Sequence, residues 1–121
     1  MINKRYDDNN IFAKIIKGEA NANIIYENKN IICFEDIFPK APVHILIIPK
    51  GKYVDLNDFS LNSNDEEKLA VFDGFSRIIE MYSLKENGYR VISNAGKNGR
   101  QEVPHLHFHL LGGNDIGRML S

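Results

Sequence analysis

A chain of 121 residues with 43% hydrophobic and 26% charged side chains has the balance of an ordinary globular protein, far from disordered or collagenous compositions. Its formal net charge of -1, with both signs interspersed, lacks the clustered cationic surface needed to coat nucleic acid or meet anionic lipid, so neither is an expected partner. At this length folding buries roughly two-thirds of the unfolded chain's surface, enough for one core without disulfide or metal staples.

The opening MINKRYDDNN has no apolar h-region of a signal peptide. Residues 1–10 are expected to form a mobile tail ahead of a single domain over 11–121, with no repeat or linker to divide it. Apolar runs are only a few residues long, far short of the roughly twenty that span a bilayer. Cys33 is the only cysteine, which excludes an intrachain disulfide and fits a reducing cytoplasm. Its neighbours Ile31, Ile32 and Phe34 mark it as a packing residue.

Asn10 can cap a short helix over Ile11 to Lys17, with Ile11, Phe12, Ile15 and Ile16 on one face and Gly18 as its stop. Strands rich in Ile and Val follow at Asn23 to Glu27, Ile31 to Asp36 and Val43 to Pro49, separated by Asn28-Lys29-Asn30 and Pro39-Lys40-Ala41-Pro42. Ser63 with Glu66 reads as the capping box of a long helix, whose core face is expected to carry Leu69, Phe72, Phe75 or Ser76, Ile79 and Tyr82. Gly88 to Asn94 is a fourth strand and His105 to Leu111 a fifth, joined by a Gly-containing loop over Ala95 to Pro104. The expected class is α+β: a five-stranded antiparallel sheet with one long and one short helix.

The fifth segment, HLHFHLLGG, holds three of the four histidines at alternate positions. Side chains alternate across a strand, so His105, His107 and His109 point one way while Leu106, Phe108 and Leu110 point the other. A solvated polar face is the plain alternative, but Ser, Thr or Lys would fill it; imidazoles titrate near pH 6.5 and can act as bases, nucleophiles or phosphate partners. His44 lies between Val43 and Ile45 and would point away from both. It reads either as a satisfied core histidine or, if its strand pairs near the triad, as a fourth member of the cluster. In the preceding loop Gly96 and Gly99 could let backbone N–H groups approach an oxyanion, and the loop brings Asn94 and Gln101 to the edge of the histidine face.

His105-Leu106-His107-Phe108-His109-Leu110-Leu111 resembles the signature of the histidine triad nucleotide-binding proteins. IFAKIIKGE, CFEDIFPKAPVHILIIPK, GYRVISNAG and LLGG extend the resemblance to the Hint branch over nearly the whole chain beyond the tail. The resemblance implies a homodimer that binds a purine nucleoside monophosphate and hydrolyses purine nucleoside phosphoramidates of the adenylyl-lysine type, without a cofactor. By position, His107 would be the nucleophile at the α-phosphorus, His109 would lie by the phosphate, and His105 and His44 would complete and orient the cluster. Asp36 would bind the ribose hydroxyls, a residue that otherwise reads as a strand-end turn former. Asn94 and Gln101 would lie near the phosphate and leaving group, and Ile11, Phe12, Ile15, Phe34 and Ile37 would wall the base.

Glu102, next to Val103 at the edge of the site, stands where the Hint branch usually has Ser. A carboxylate there would repel a phosphate unless it turns away or handles the leaving-group proton. The tail GGNDIGRMLS lacks the Trp of many members, so leaving-group preference is open. Other functions remain open as well: dinucleoside polyphosphate hydrolysis, nucleotidyl transfer, nucleotide-binding regulation, or a zinc site. Zinc is disfavoured by the roughly 6.6 Å between alternate residues on a strand.

Overall fold

The computed structural model describes residues 6–120. The expected tail lies outside the described residues at 1–5. Within 6–10, Tyr6 packs on His105, and Asn10 is buried as the cap of α1 (Ile11–Ile16), its side chain accepting from the Ala13 N–H. Gly18, at φ +79°, turns the chain out of that helix, a conformation that suits a residue without Cβ.

Five strands follow, β1 (Ile24–Glu27), β2 (Ile31–Glu35), β3 (Val43–Pro49), β4 (Tyr89–Ile92) and β5 (Phe108–Gly112). They form one antiparallel sheet in the order β1-β2-β3-β5-β4. The expected α+β architecture is therefore present. β3 at its centre is hydrophobic on both faces because both are covered. On one face Ile31, Cys33, Ile45, Ile47, Leu106, Phe108 and Leu110 pack under the long helix. On the other, Ile32, Phe34, Leu46 and Ile48 pack against Phe12 and Ile15 of α1.

Among the described residues there are three helices where two were expected. α2 (Leu56–Asn62) precedes the long α3 (Asp65–Met81), with Asp55 as its cap accepting from the Asp58 N–H. This short segment places Phe59 in the core, while Leu56 and Leu61 stay exposed. The two helices follow each other so closely that Ser63 ends α2, its hydroxyl and N–H both donating to the Phe59 carbonyl. The capping box therefore sits one residue later than expected, on Asn64 and Glu67.

The buried stripe of α3 also differs in phase from the expectation. Val71, Gly74 and Ile78 face the sheet, flanked by Phe75, Ile79 and Tyr82, whereas Leu69 and Phe72 are 70% and 71% exposed. Gly74 sits directly over Ile31, where a Cβ has no free space, so the helix lies close to the sheet. Among the described residues no helix is long and apolar enough to cross a membrane.

Candidate active site

The α1 side of the sheet carries a cleft of about 790 Å³ that shares Phe12, Ile15, Phe34 and Leu46 with the apolar layer. Its walls include Ile11, Phe12, Ile15, Phe34, Asp36, Ile37, His44, Asn94, Glu102, Val103, His107 and His109. His105 and Gln101 are not on its surface. Lys40 and Arg100 also line it, two cations that sequence patterning did not single out. Their signal was position alone: Lys40 lies in the turn before β3, and Arg100 in the loop before the triad.

The strand expected from His105 to Leu111 begins only at Phe108. Pro104 supplies no N–H to a ladder, and Leu106 N–H donates instead to the carbonyl of Tyr53, outside the sheet. The alternation nevertheless persists, with Leu106 and Phe108 in the core under α3 and the histidines on the opposite side. His109 opposes Leu46 and His44 opposes Leu111, so the two histidines are diagonal neighbours on one face of β3 and β5.

A carbonyl can only accept and a backbone N–H can only donate, so the hydrogen bonds assign the protons of all four rings in their neutral forms. His107 Nδ1 lies 2.7 Å from the carbonyl oxygen of His105 and must carry hydrogen, which leaves Nε2 with a free lone pair. His105 Nε2 lies 2.7 Å from the carbonyl oxygen of Pro49 and donates to it, so its Nδ1 accepts from the Tyr6 hydroxyl at 2.6 Å. On the other branch, the Lys40 N–H donates to His44 Nδ1 at 3.0 Å, putting the His44 proton on Nε2. That proton points to His109 Nδ1 at 2.9 Å, with Asp36 Oδ2 at 3.4 Å, and His109 keeps its own proton on Nε2.

Burial favours these neutral forms, because an imidazolium loses more hydration than an imidazole. It pushes His105 and His109 down to about 4 from the ordinary 6.5, helped for both by the neighbouring His107. His107 is also lowered by burial, against opposition from its bond to the His105 carbonyl and from the charges of Asp36 and Glu102. His44 is lowered by burial despite the nearby Asp36. Phe12 and the His107 ring pack in a T-shaped pair with centroids 4.9 Å apart.

Asp36, His44 and His109 offer ligand atoms within 4.8 Å of one another, a spacing that could admit a divalent cation. The outer shell opposes it. A His44 ligating through Nε2 would have to carry hydrogen on Nδ1, directly facing the Lys40 N–H that now donates there. These groups are arranged to pass hydrogen-bond polarity from one ring to the next.

Two loop expectations are corrected. The N–H groups of Gly96, Gly99, Arg100 and Gln101 bond within the loop, to Gln101 Oε1 and the carbonyls of Ala95, Lys97 and Gly96. They are not aimed at an oxyanion. Gln101 itself donates through Nε2 to the carbonyls of Val54 at 2.6 Å and Val103 at 2.9 Å, so its amide fastens the loop instead of lining the cleft.

A HIT domain model matches residues 17–116, and the chain belongs to the HIT domain family. It is 42% identical over 118 residues to an uncharacterized HIT-like protein of Azospirillum brasilense, covering 98% of this chain and 97% of that one. It is also 42% identical to the purine nucleoside phosphoramidase of Escherichia coli K12 over 92% of both chains. The crystal structure of a HIT family hydrolase from Legionella pneumophila superimposes with a TM-score of 0.83 at 41% identity, over 93% of this chain and 100% of that one.

Proposed function

We propose that this protein is a nucleotide-binding hydrolase that cleaves the P–N bond of purine nucleoside 5'-phosphoramidates of the adenylyl-lysine type. The observation that carries the reading is the hydrogen bond from His107 Nδ1–H to the His105 carbonyl, which leaves Nε2 of a neutral ring as a nucleophile in the cleft. His107 Nε2 attacks the α-phosphorus and forms a nucleotidyl-histidine as the P–N bond breaks, the nitrogen taking a proton from solvent and departing as the amine. Water then attacks the phosphorus, freeing the nucleoside monophosphate and restoring His107.

His109, with its proton held on Nε2, is a neutral donor for a phosphate oxygen, and Lys40 and Arg100 supply positive charge at the same cleft. Asp36 would accept from the ribose hydroxyls. Asn94 would lie beside the phosphate and Val103 at the edge of the site. Ile11, Phe12, Ile15, Phe34 and Ile37 would wall the base, an apolar lining with few polar anchors. The E. coli relative's name and the Legionella neighbour's description support the reaction class. A homodimer belongs to the same proposal, supported by the edge position of β4, with Tyr89 and Val91 exposed, and by the outward Leu69 and Phe72 of α3.

Steady-state amine release from an adenosine 5'-phosphoramidate with a fluorogenic leaving group tests the reading, comparing wild type with His107→Ala in the presence and absence of EDTA. EDTA-resistant release that disappears in the variant is the expected result. A folded, AMP-binding wild type that releases no amine would overturn it.

A further inference from the structure

We propose that Tyr6 is a positioning residue for the candidate nucleophile His107, acting through the ring of His105 and outside the cleft itself. The Tyr6 hydroxyl donates to His105 Nδ1 at 2.6 Å, and the two rings meet edge to face with centroids 5.5 Å apart. His105 is wholly buried, and its other ring nitrogen donates to the Pro49 carbonyl at the end of β3. Both polar corners of this imidazole are therefore satisfied, one from the sheet and one from the segment before α1. The carbonyl of the same residue accepts the His107 Nδ1–H at 2.7 Å.

A buried acceptor that loses its donor is driven to find another, by ring rotation or by a change of tautomer. Either movement in His105 shifts the carbonyl of the same residue, which holds the His107 proton in place. The residues that follow Tyr6 hold it in place. Asp8 pairs with Lys52 at 2.8 Å, and Asn10 donates to the Asp7 carbonyl while capping α1, whose Phe12 touches both His105 and His107. The segment before α1 thus acts as a clasp on the back of the triad. Burial pushes the Tyr6 phenol above its ordinary range, which keeps its proton in place for this bond.

The kinetic arm of the test rests on the phosphoramidase reading, and the spectroscopic arm does not. In Tyr6→Phe, kcat for the adenosine phosphoramidate should fall about tenfold, the kinetic equivalent of one hydrogen bond, with KM within about twofold. Long-range ¹H–¹⁵N spectra of the imidazoles should show His105 Nδ1 moving toward a nitrogen without a donor, and the His107 Nδ1–H signal changing with it. Lys29→Gln, at the exposed Lys29–Glu66 ion pair away from the clasp, should leave both readouts unchanged. A Tyr6→Phe protein that is less stable, yet keeps wild-type kcat and an unchanged His107 signal, would show a packing role only and overturn the proposal. If the wild type turns over no phosphoramidate, the reaction assignment fails and the imidazole spectra alone decide the clasp. If Tyr6→Phe does not fold, the wild type decides. A nuclear Overhauser contact between the Tyr6 ring and His105 Hε1 is expected, and its absence overturns the proposal.

Discussion

His44 Nε2 stands 2.9 Å from His109 Nδ1 across β3 and β5, and the hydrogen between them belongs to His44 because the Lys40 N–H already occupies the other side of that ring. The orientation of a proton in the cleft is thus traceable to one backbone amide in the turn before β3. The imidazole at position 44 transmits that polarity because it accepts at one nitrogen and donates at the other.

His44→Phe keeps the ring and removes both nitrogens. His109 Nδ1 then has no donor, and the ring can place its proton there, turning a bare Nε2 toward the phosphate. Loss of a hydrogen bond to a charged group is worth about 1.5–3 kcal/mol, so kcat/KM for the phosphoramidate should fall roughly ten- to a hundredfold. Steady-state kinetics with a parallel AMP titration checks this. Unchanged kcat/KM in a folded variant would remove His44 from the relay.

The same neutral rings predict acid sensitivity. A histidine whose folded pKa is lowered binds its proton more readily in the unfolded chain, so stability rises with pH between the two values. For His105, wholly buried and pushed down to about 4, the contribution is fully present above pH 6.5 and is lost as pH falls toward 4. That depression corresponds to roughly 3 kcal/mol at its full extent. Urea unfolding midpoints at pH 7.5 and 4.5 should differ accordingly, and a flat profile across that window would contradict burial of a neutral His105. The acid limb of kcat/KM should likewise lie below pH 6.5, because His107 is lowered too.

Gln101 separates a contact to ligand from a fastening. Gln101→Ala leaves the carbonyls of Val54 and Val103 and the Gly96 N–H without their side-chain partner. Stability should drop by about 1–3 kcal/mol, and amide exchange over 95–103 should quicken. A phosphate contact would give the opposite pattern, with weaker AMP binding at unchanged stability. Calorimetric AMP titration beside urea unfolding distinguishes the two.

These residues also show where sequence reading reaches its limit. The alternation of His105, His107 and His109 against Leu106, Phe108 and Leu110 was legible because a period of two has only one meaning for which side each residue faces, and the structure keeps it even where Pro104 delays the strand. Val43 to Pro49 was legible as an Ile-rich run between turn formers, and its bounds agree with β3. On α3 the helical period was clear but its phase was not. Leu69 and Phe72 are as apolar as the residues that face the sheet, and the close approach at Gly74 decides which side turns inward. Gln101 and Tyr6 were illegible in role for a different reason. Their partners, the Val54 carbonyl and the His105 ring, lie 47 and 99 residues away, and no local pattern encodes a hydrogen bond that only the tertiary fold creates.

Glu102 bears on the choice of leaving group. It lines the cleft with His107, and its charge raises the His107 pKa against the larger effect of burial. A carboxylate here repels the substrate's phosphate and attracts a cationic amine, so it should favour lysine-like leaving groups over neutral ones. Glu102→Gln removes the charge at nearly constant shape. AMP should then bind a few-fold more tightly, the acid limb of kcat/KM should move to lower pH, and the preference for a cationic over a neutral leaving group should shrink by about 1 kcal/mol, or roughly fivefold. Paired kinetics on two phosphoramidates that differ only in an amine charge measures that ratio directly. A ratio unchanged by the substitution would show that Glu102 turns away from the leaving group, and would shift the choice of leaving group to Arg100 and the rest of the cleft wall.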